Sequence, residues 1–207
     1  MNEIILLDYA GVALFAATGA LAASRKELDI IGFLFLAAVT GIGGGTARDL
    51  ILDVPVFWVA EPFYILVCAV TAVCIYFTAG LLESRYMVLL WLDAAALAAY
   101  GVFGAYKGLM VSGSPVVAVV MGMLTSTLGG ILRDVIANEP SVLLRREIYV
   151  TAAGLGALAF VFADAAGLSL PLAGIAGFCA AFAIRAGAMS FGWKLPTYRS
   201  RPGREYK

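Results

Sequence analysis

The chain repeats itself at an offset of 85 residues, and that repeat limits what it can fold into more than any other feature. Residues 40–64 read TGIGGGTARDLILDVPVFWVAEPFY and residues 125–149 read TSTLGGILRDVIANEPSVLLRREIY. Without a gap, Thr40/Thr125, Gly44/Gly129, Gly45/Gly130, Arg48/Arg133, Asp49/Asp134, Ile51/Ile136, Pro55/Pro140 and Tyr64/Tyr149 are identical. Those are eight matches in 25 positions, where a chain this rich in Ala, Gly and Leu would give about two by chance. The same offset pairs Asp8 with Asp93, Phe15 with Tyr100, Gly19 with Gly104 and Ala20 with Ala105. Whatever unit the first half builds, the second half builds again.

Of the 207 residues, 62% are hydrophobic and 14% charged, and the mean hydropathy is +0.95. A soluble domain carries about a quarter charged residues, so most of this surface must face something other than water. The net charge is zero, which argues against nucleic acid as a partner. There is no histidine, so the usual general base, the usual metal ligand and any Ser-His or Cys-His dyad are missing. An enzyme would have only Asp, Glu, Lys, Tyr and Cys to work with, which makes that class weak. Cys68, Cys74 and Cys179 lie singly in apolar runs with no CxxC spacing and read as small hydrophobes. The opening MNEIILLDYAG has no Lys or Arg before its apolar run, unlike a secretory signal, and is expected to be retained.

Seven apolar segments follow, at about 4–23, 30–52, 63–82, 88–106, 115–136, 148–167 and 170–190. Each is close to the roughly 20 residues that cross a hydrocarbon core ~30 Å thick. Unbroken runs predict helices, because lipid offers a free backbone group no partner, whereas a porin-like barrel would alternate. With the N-terminus outside, the inner connections and tail hold Arg25, Lys26, Arg85, Arg145, Arg146, Lys194, Arg199, Arg201, Arg204 and Lys207. The outer loops then hold Lys107 alone, apart from Arg48 of the motif. That bias predicts N-out, C-in. The basic tail WKLPTYRSRPGREYK reads as a positive-inside anchor or as a binder of anionic lipid.

Each copy spans three helices, an odd number, so the second copy must sit upside down in the bilayer relative to the first. The expected fold is an all-α membrane protein, an inverted three-plus-three repeat about a pseudo-two-fold axis in the membrane plane, with a seventh helix added. Residues 1–87 form the first repeat, 88–168 the second, and 169–207 the seventh helix and cytoplasmic tail, together one membrane domain. Such repeats place their working site near the midplane, between the copies.

The residues able to carry chemistry fall in the repeated motif. Gly43, Gly44 and Gly45, and Gly129 and Gly130, lie well inside the second and fifth segments. A glycine cluster there permits a kink or an unwound turn, whose freed carbonyls near Gly43, Gly44 and Gly129 can coordinate a monovalent cation. The same glycines can instead serve close helix packing, for Ala37, Gly41 and Gly45 form a small-residue ridge. A phosphate-binding loop is excluded, since no strand precedes GIGGGT and its lysine is missing. Arg48, Asp49, Arg133 and Asp134 come one turn later, still among apolar residues. At that depth they either lock each kink as ion pairs or sit at the two mouths of an aqueous path. Asp8 and Asp93 open the first and fourth segments and read either as helix caps or as an acidic ring that draws cations to a pore. Thr18, Thr40, Thr46, Thr125, Ser126 and Thr127 offer hydroxyls to a moving ion or, more commonly, to their own backbone. Arg185 is expected to snorkel toward the cytoplasm.

Two three-helix units, with GGGTARD at 43–49 and GGILRD at 129–134, followed by a seventh helix, resemble the trimeric intracellular cation channels. Their bacterial and archaeal relatives include proteins called glycine transporters. The resemblance covers residues 8–189. It implies a homotrimer in a prokaryotic inner membrane, with a pore for K⁺ and Na⁺ inside each protomer and kinks at the two glycine motifs. It implies no cofactor beyond the transported ion and bound membrane lipid. The second copy has Leu128 where the first has Gly43, so its kink should be gentler. The basic lipid-binding motif of animal members has no clear counterpart. A channel is the leading expectation, and a secondary carrier for glycine or another small zwitterion is the alternative, because paired acidic and basic groups suit both.

Overall fold

The computed structural model describes residues 2–141 and 148–196, with residues 2–7 by backbone alone. Arg145, Arg146, Arg199, Arg201, Arg204 and Lys207 of the charge argument therefore lie outside the described residues. The described chain is all-helical. It comprises α1 (Asn2–Arg25), α2 (Ile30–Ile51), the single turn α3 (Phe57–Ala60), α4 (Phe63–Thr78, prolonged by a 3-10 turn at Ala79–Leu81), α5 (Arg85–Ser112), α6 (Pro115–Ile136), α7 (Val150–Ala165) and α8 (Leu170–Phe191). Helices α2, α5, α6, α8 and α4 with its 3-10 turn are long and apolar enough to cross a membrane, and α7 is apolar and shorter, at 16 residues.

The helix ends follow from local chemistry. The Asp29 carboxylate accepts from Gly32 N at 2.8 Å, the Ser84 hydroxyl from Met87 N, and the Ser114 hydroxyl from Val117 N, satisfying donors that the first turn leaves open. Pro115 follows Ser114 at the first position of α6, where its missing N–H costs nothing. Gly113 ends α5 in the left-handed region (φ 65°), a conformation glycine adopts without strain. Helix α5 thus runs six residues past its expected end at 106, and Lys107 lies in a helix rather than in an outer loop. Gly108 does not break it, because α6 packs there: a Cβ on Gly108 would stand 2.9 Å from Met121 and 3.1 Å from Ala118.

The packing repeats as the sequence does. Helices α1, α2 and α4 pack on one another, as do α5, α6 and α7, while α1 meets α5 and α2 meets α6 across the copies. Helix α8 rests on α5 and α7. A Cβ on Gly19 would strike the Leu36 carbonyl and Thr40 Oγ1, and one on Gly104 the Met121 carbonyl and Thr125 Oγ1, each residue shifted by 85. Between the copies, Gly44 faces the Thr125 carbonyl and Gly129 faces the Thr40 carbonyl. Contacts exchanged in this way are the mark of a two-fold relation. Buried Ala16, Ala20, Ala37, Ala105, Ala118 and Ala157 line the same seams. Small residues let helix backbones approach closely, and that close packing drives association where lipid supplies no hydrophobic gain.

Candidate functional site

The glycine motifs sit in unbroken helix. Assignment is continuous from Ile30 to Ile51 and from Pro115 to Ile136, so the unwound turn that would free carbonyls near Gly43, Gly44 and Gly129 is not present. What Gly44 and Gly129 supply is close approach of α2 to α6. The hydroxyls beside them bond back along their own helices. Thr40 donates to Leu36 O at 2.6 Å, Thr125 to Met121 O at 2.6 Å, Ser126 to Gly122 O at 2.8 Å and Thr127 to Met123 O at 2.8 Å. Each spends its proton on the fourth carbonyl back, which leaves oxygen lone pairs for a second partner.

The first charge cluster gathers around Asp49. Arg48 and Asp49 are 1% and 0% exposed, a placement that lipid-depth charges tolerate only when paired. Arg48 Nε donates to Asp49 Oδ1 at 2.7 Å, Lys107 Nζ reaches the same oxygen at 2.9 Å, and Phe57 N donates to Asp49 Oδ2 at 2.9 Å. The Arg48 guanidinium lies 5.3 Å from the Phe103 ring centre and 5.8 Å from that of Phe57, within cation–π range. Beside it Asp8 accepts from Tyr64 OH at 2.6 Å and from Tyr100 OH at 2.8 Å.

The second cluster gathers around Arg133, which is 3% exposed. Its Nε and Nη2 donate to Asp134 Oδ1 at 3.0 and 2.9 Å, and its Nη1 to Asp93 Oδ1 at 2.7 Å and to Thr18 Oγ1 at 3.0 Å. The Asp93 carboxylate and the Tyr149 hydroxyl lie over Gly130. One arginine thus clamps two carboxylates and a hydroxyl from α1, α5 and α6.

The clusters occupy opposite ends of the bundle. Helix α5 contributes Asp93 to one and Lys107 to the other, 14 residues apart, or about 21 Å of helix rise. Helix α1 contributes Asp8 to the first and Thr18 to the second, running the opposite way. Asp8 and Asp93 cap nothing and form no exposed ring: α1 and α5 begin earlier, at Asn2 and Arg85, and both carboxylates are buried, at 6% and 2% exposed. Arg185 does not snorkel either. It is 1% exposed, donates to Ile148 O at 3.3 Å and lies 5.1 Å from the Tyr149 ring centre.

Sequence reasoning missed Lys107, Tyr64 and Tyr100 as members of these clusters. Lys107 was legible as a lone cation in an otherwise uncharged stretch. Tyr100 was legible only as the mate of Phe15, a pair that differs by one hydroxyl.

The fold and its paired clusters define an all-helical membrane protein built from two like halves. A family model described as Glycine transporter matches residues 5–80 and again 90–165. The crystal structure of the TRIC trimeric intracellular cation channel orthologue from Rhodobacter sphaeroides superposes with a TM-score of 0.90 at 54% identity, covering 93% of this chain and 100% of that one. The UPF0126 inner membrane protein YadS of Escherichia coli is 39% identical over 199 residues, 93% of this chain and 94% of its own length. A UPF0126 membrane protein of Vibrio cholerae is 38% identical over 201 residues, 94% of this chain and 82% of its own. The chain belongs to the prokaryotic TRIC family, to which the glycine transporter model corresponds. It is an integral membrane protein, homologous to TRIC cation channels, which are not enzymes.

Proposed function

We propose that this chain conducts monovalent cations, K⁺ and Na⁺, through a narrow path inside each protomer of a homotrimer. The observation that carries the reading is the pair of buried Arg-Asp clusters, one at either end of the packed α2–α6 pair. Charges held at two ends of a bundle can bias an ion without trapping it, and both ends lie beside hydroxyls with lone pairs to offer. The likeness to a trimeric cation channel supports the trimer and the cargo. Residues 1–87 and 88–168 then act as inverted repeats on either side of the path, with 169–207 as the added helix and tail. Arg25, Lys26 and Arg85 converge at one end, where Arg25 and Lys26 pair with Glu139 at 3.0 and 3.8 Å and Arg85 donates to Ser24. That concentration of cations supports a cytoplasmic face there, hence N-out and C-in in an inner membrane.

A secondary carrier of glycine or another small zwitterion is the second reading. It is favoured by the description of the family model and by the guanidinium and carboxylate that each cluster offers together. Purified protein in a planar bilayer under a KCl gradient separates the two. Discrete current steps reversing near the K⁺ potential are expected. Saturable glycine uptake without steps would turn the assignment to the carrier.

A further inference from the structure

The two copies of one motif hold their charges in two different arrangements, and three residue differences fall where the arrangements part. In the second copy, Arg133 Nη1 grips Asp93 at 2.7 Å. In the first, the equivalent Arg48 Nη1 is buried and, among the described residues, has no acceptor. Asp8, the equivalent of Asp93, is instead held by Tyr64 and Tyr100. Tyr100 and its mate Phe15 meet edge to face near the pseudo-axis, ring centres 5.4 Å apart, and only Tyr100 carries a hydroxyl. Its ring fits against α1 because position 11 is glycine; a Cβ there would strike the ring, and the mate of Gly11 is Ala96. Lys107, whose mate is Ala22, adds a second cation on Asp49.

We propose that the first-copy cluster is a movable gate and the second its latched counterpart: Tyr100 is a positioning residue whose hydroxyl keeps Asp8 away from Arg48, and the gate closes when Arg48 Nη1 takes Asp8 as Arg133 Nη1 takes Asp93. The two arrangements compete closely. The present one gives Asp8 two hydroxyl donors but leaves a buried guanidinium N–H unpaired, which is costly. The alternative satisfies that N–H with a charge-assisted bond and releases the tyrosines. Because α1 carries Asp8 and α2 carries Arg48, forming the bond draws α1 onto α2 at one end of the bundle while the other end stays clamped.

The reading of this switch as a gate rests on the proposed channel activity; the exchange of bonds does not. The deciding measurement is a crystal structure of the Tyr100→Phe protein. Arg48 Nη1 within hydrogen-bond distance of the Asp8 carboxylate upholds the exchange; an unmoved Arg48, with Asp8 held by Tyr64 alone, overturns it. In bilayers, Tyr100→Phe should lower open probability about five- to tenfold, the shift that one net hydrogen bond supports. Adding Asp8→Asn to the same chain should restore it, since no carboxylate remains to be taken. A loss of open probability that Asp8→Asn leaves in place marks Tyr100 as packing only and sinks the gate. Should Tyr100→Phe not yield a purified protein, Asp8→Asn alone decides, with closed times shortened several-fold for the proposal and unchanged closed times against it. Absence of current from the wild-type protein would remove the channel reading, and the crystal structure would still decide the exchange.

Discussion

Asp49 and Asp134 stand at equivalent places in the repeat and do not bear equal loads. Asp49 compensates both Arg48 and Lys107, and Asp8 can stand in for it toward Arg48 alone, whereas Arg133, the single cation of its cluster, keeps Asp93 if Asp134 is neutralised. Removing one partner of a buried ion pair costs about 3–5 kcal/mol, because the other charge is stranded. Asp49→Asn should fall in that range and Asp134→Asn clearly below it, as read by thermal unfolding of the purified protein in detergent. Equal losses would show that Asp93 does not support Arg133 alone. If the clusters border the ion path, both substitutions should also lower cation current, while Arg48→Gln and Arg133→Gln raise it or weaken gating, since a nearby carboxylate offsets the repulsion of a cation by arginine. The repeated Arg-Asp pair was legible from spacing alone. Its partners were not, because Lys107, Asp93 and Thr18 reach it from other helices.

At the scale of helices, the glycines that invite a kink act by thinning α2 and α6 where they meet. Gly44 against the Thr125 carbonyl and Gly129 against the Thr40 carbonyl leave no room for a methyl group, and backbone cannot rotate away as a side chain does. Gly44→Ala and Gly129→Ala should each destabilise by about 1–3 kcal/mol or more, the usual result of overpacking. Combining them should cost less than the sum, because the first already separates the helices. Gly80, with nothing within 4 Å of its would-be Cβ, is the control and should melt near the wild-type temperature. The lengths of most helices were legible from hydropathy. The extension of α5 through Lys107 and Gly108 was not, since a lysine followed by a glycine reads as a turn until α6 is seen to cover it.

For the molecule as a whole, the proposed inverted arrangement makes a prediction about sides. Helix α5 has 28 residues, about 42 Å of rise, so its ends must emerge on opposite faces. In a cysteine-free background, Glu83→Cys should react only with a reagent on the cytoplasmic side. Ser112→Cys and Ala166→Cys should react only from outside. All three positions are exposed on the protomer. Labelling of Glu83→Cys and Ser112→Cys from the same side would overturn the topology, and with it the inversion of the second copy.

The sequence by itself determined that there are two copies, that each carries three apolar segments, and which residues the copies share. Those facts are local: hydropathy reports the spans and an ungapped offset reports the duplication, and neither needs to know what touches what. Only the tertiary structure decided that Thr40 and Thr125 bond to their own helices, that α2 and α6 remain unbroken, that Arg185 and both N-proximal aspartates are buried, and that Arg48 and Arg133 hold different partners. Those facts depend on which side chains meet across helix seams far apart in the chain. There a single hydroxyl or methyl group, Tyr100 against Phe15 or Gly11 against Ala96, changes which hydrogen bond forms although the motif around it is the same.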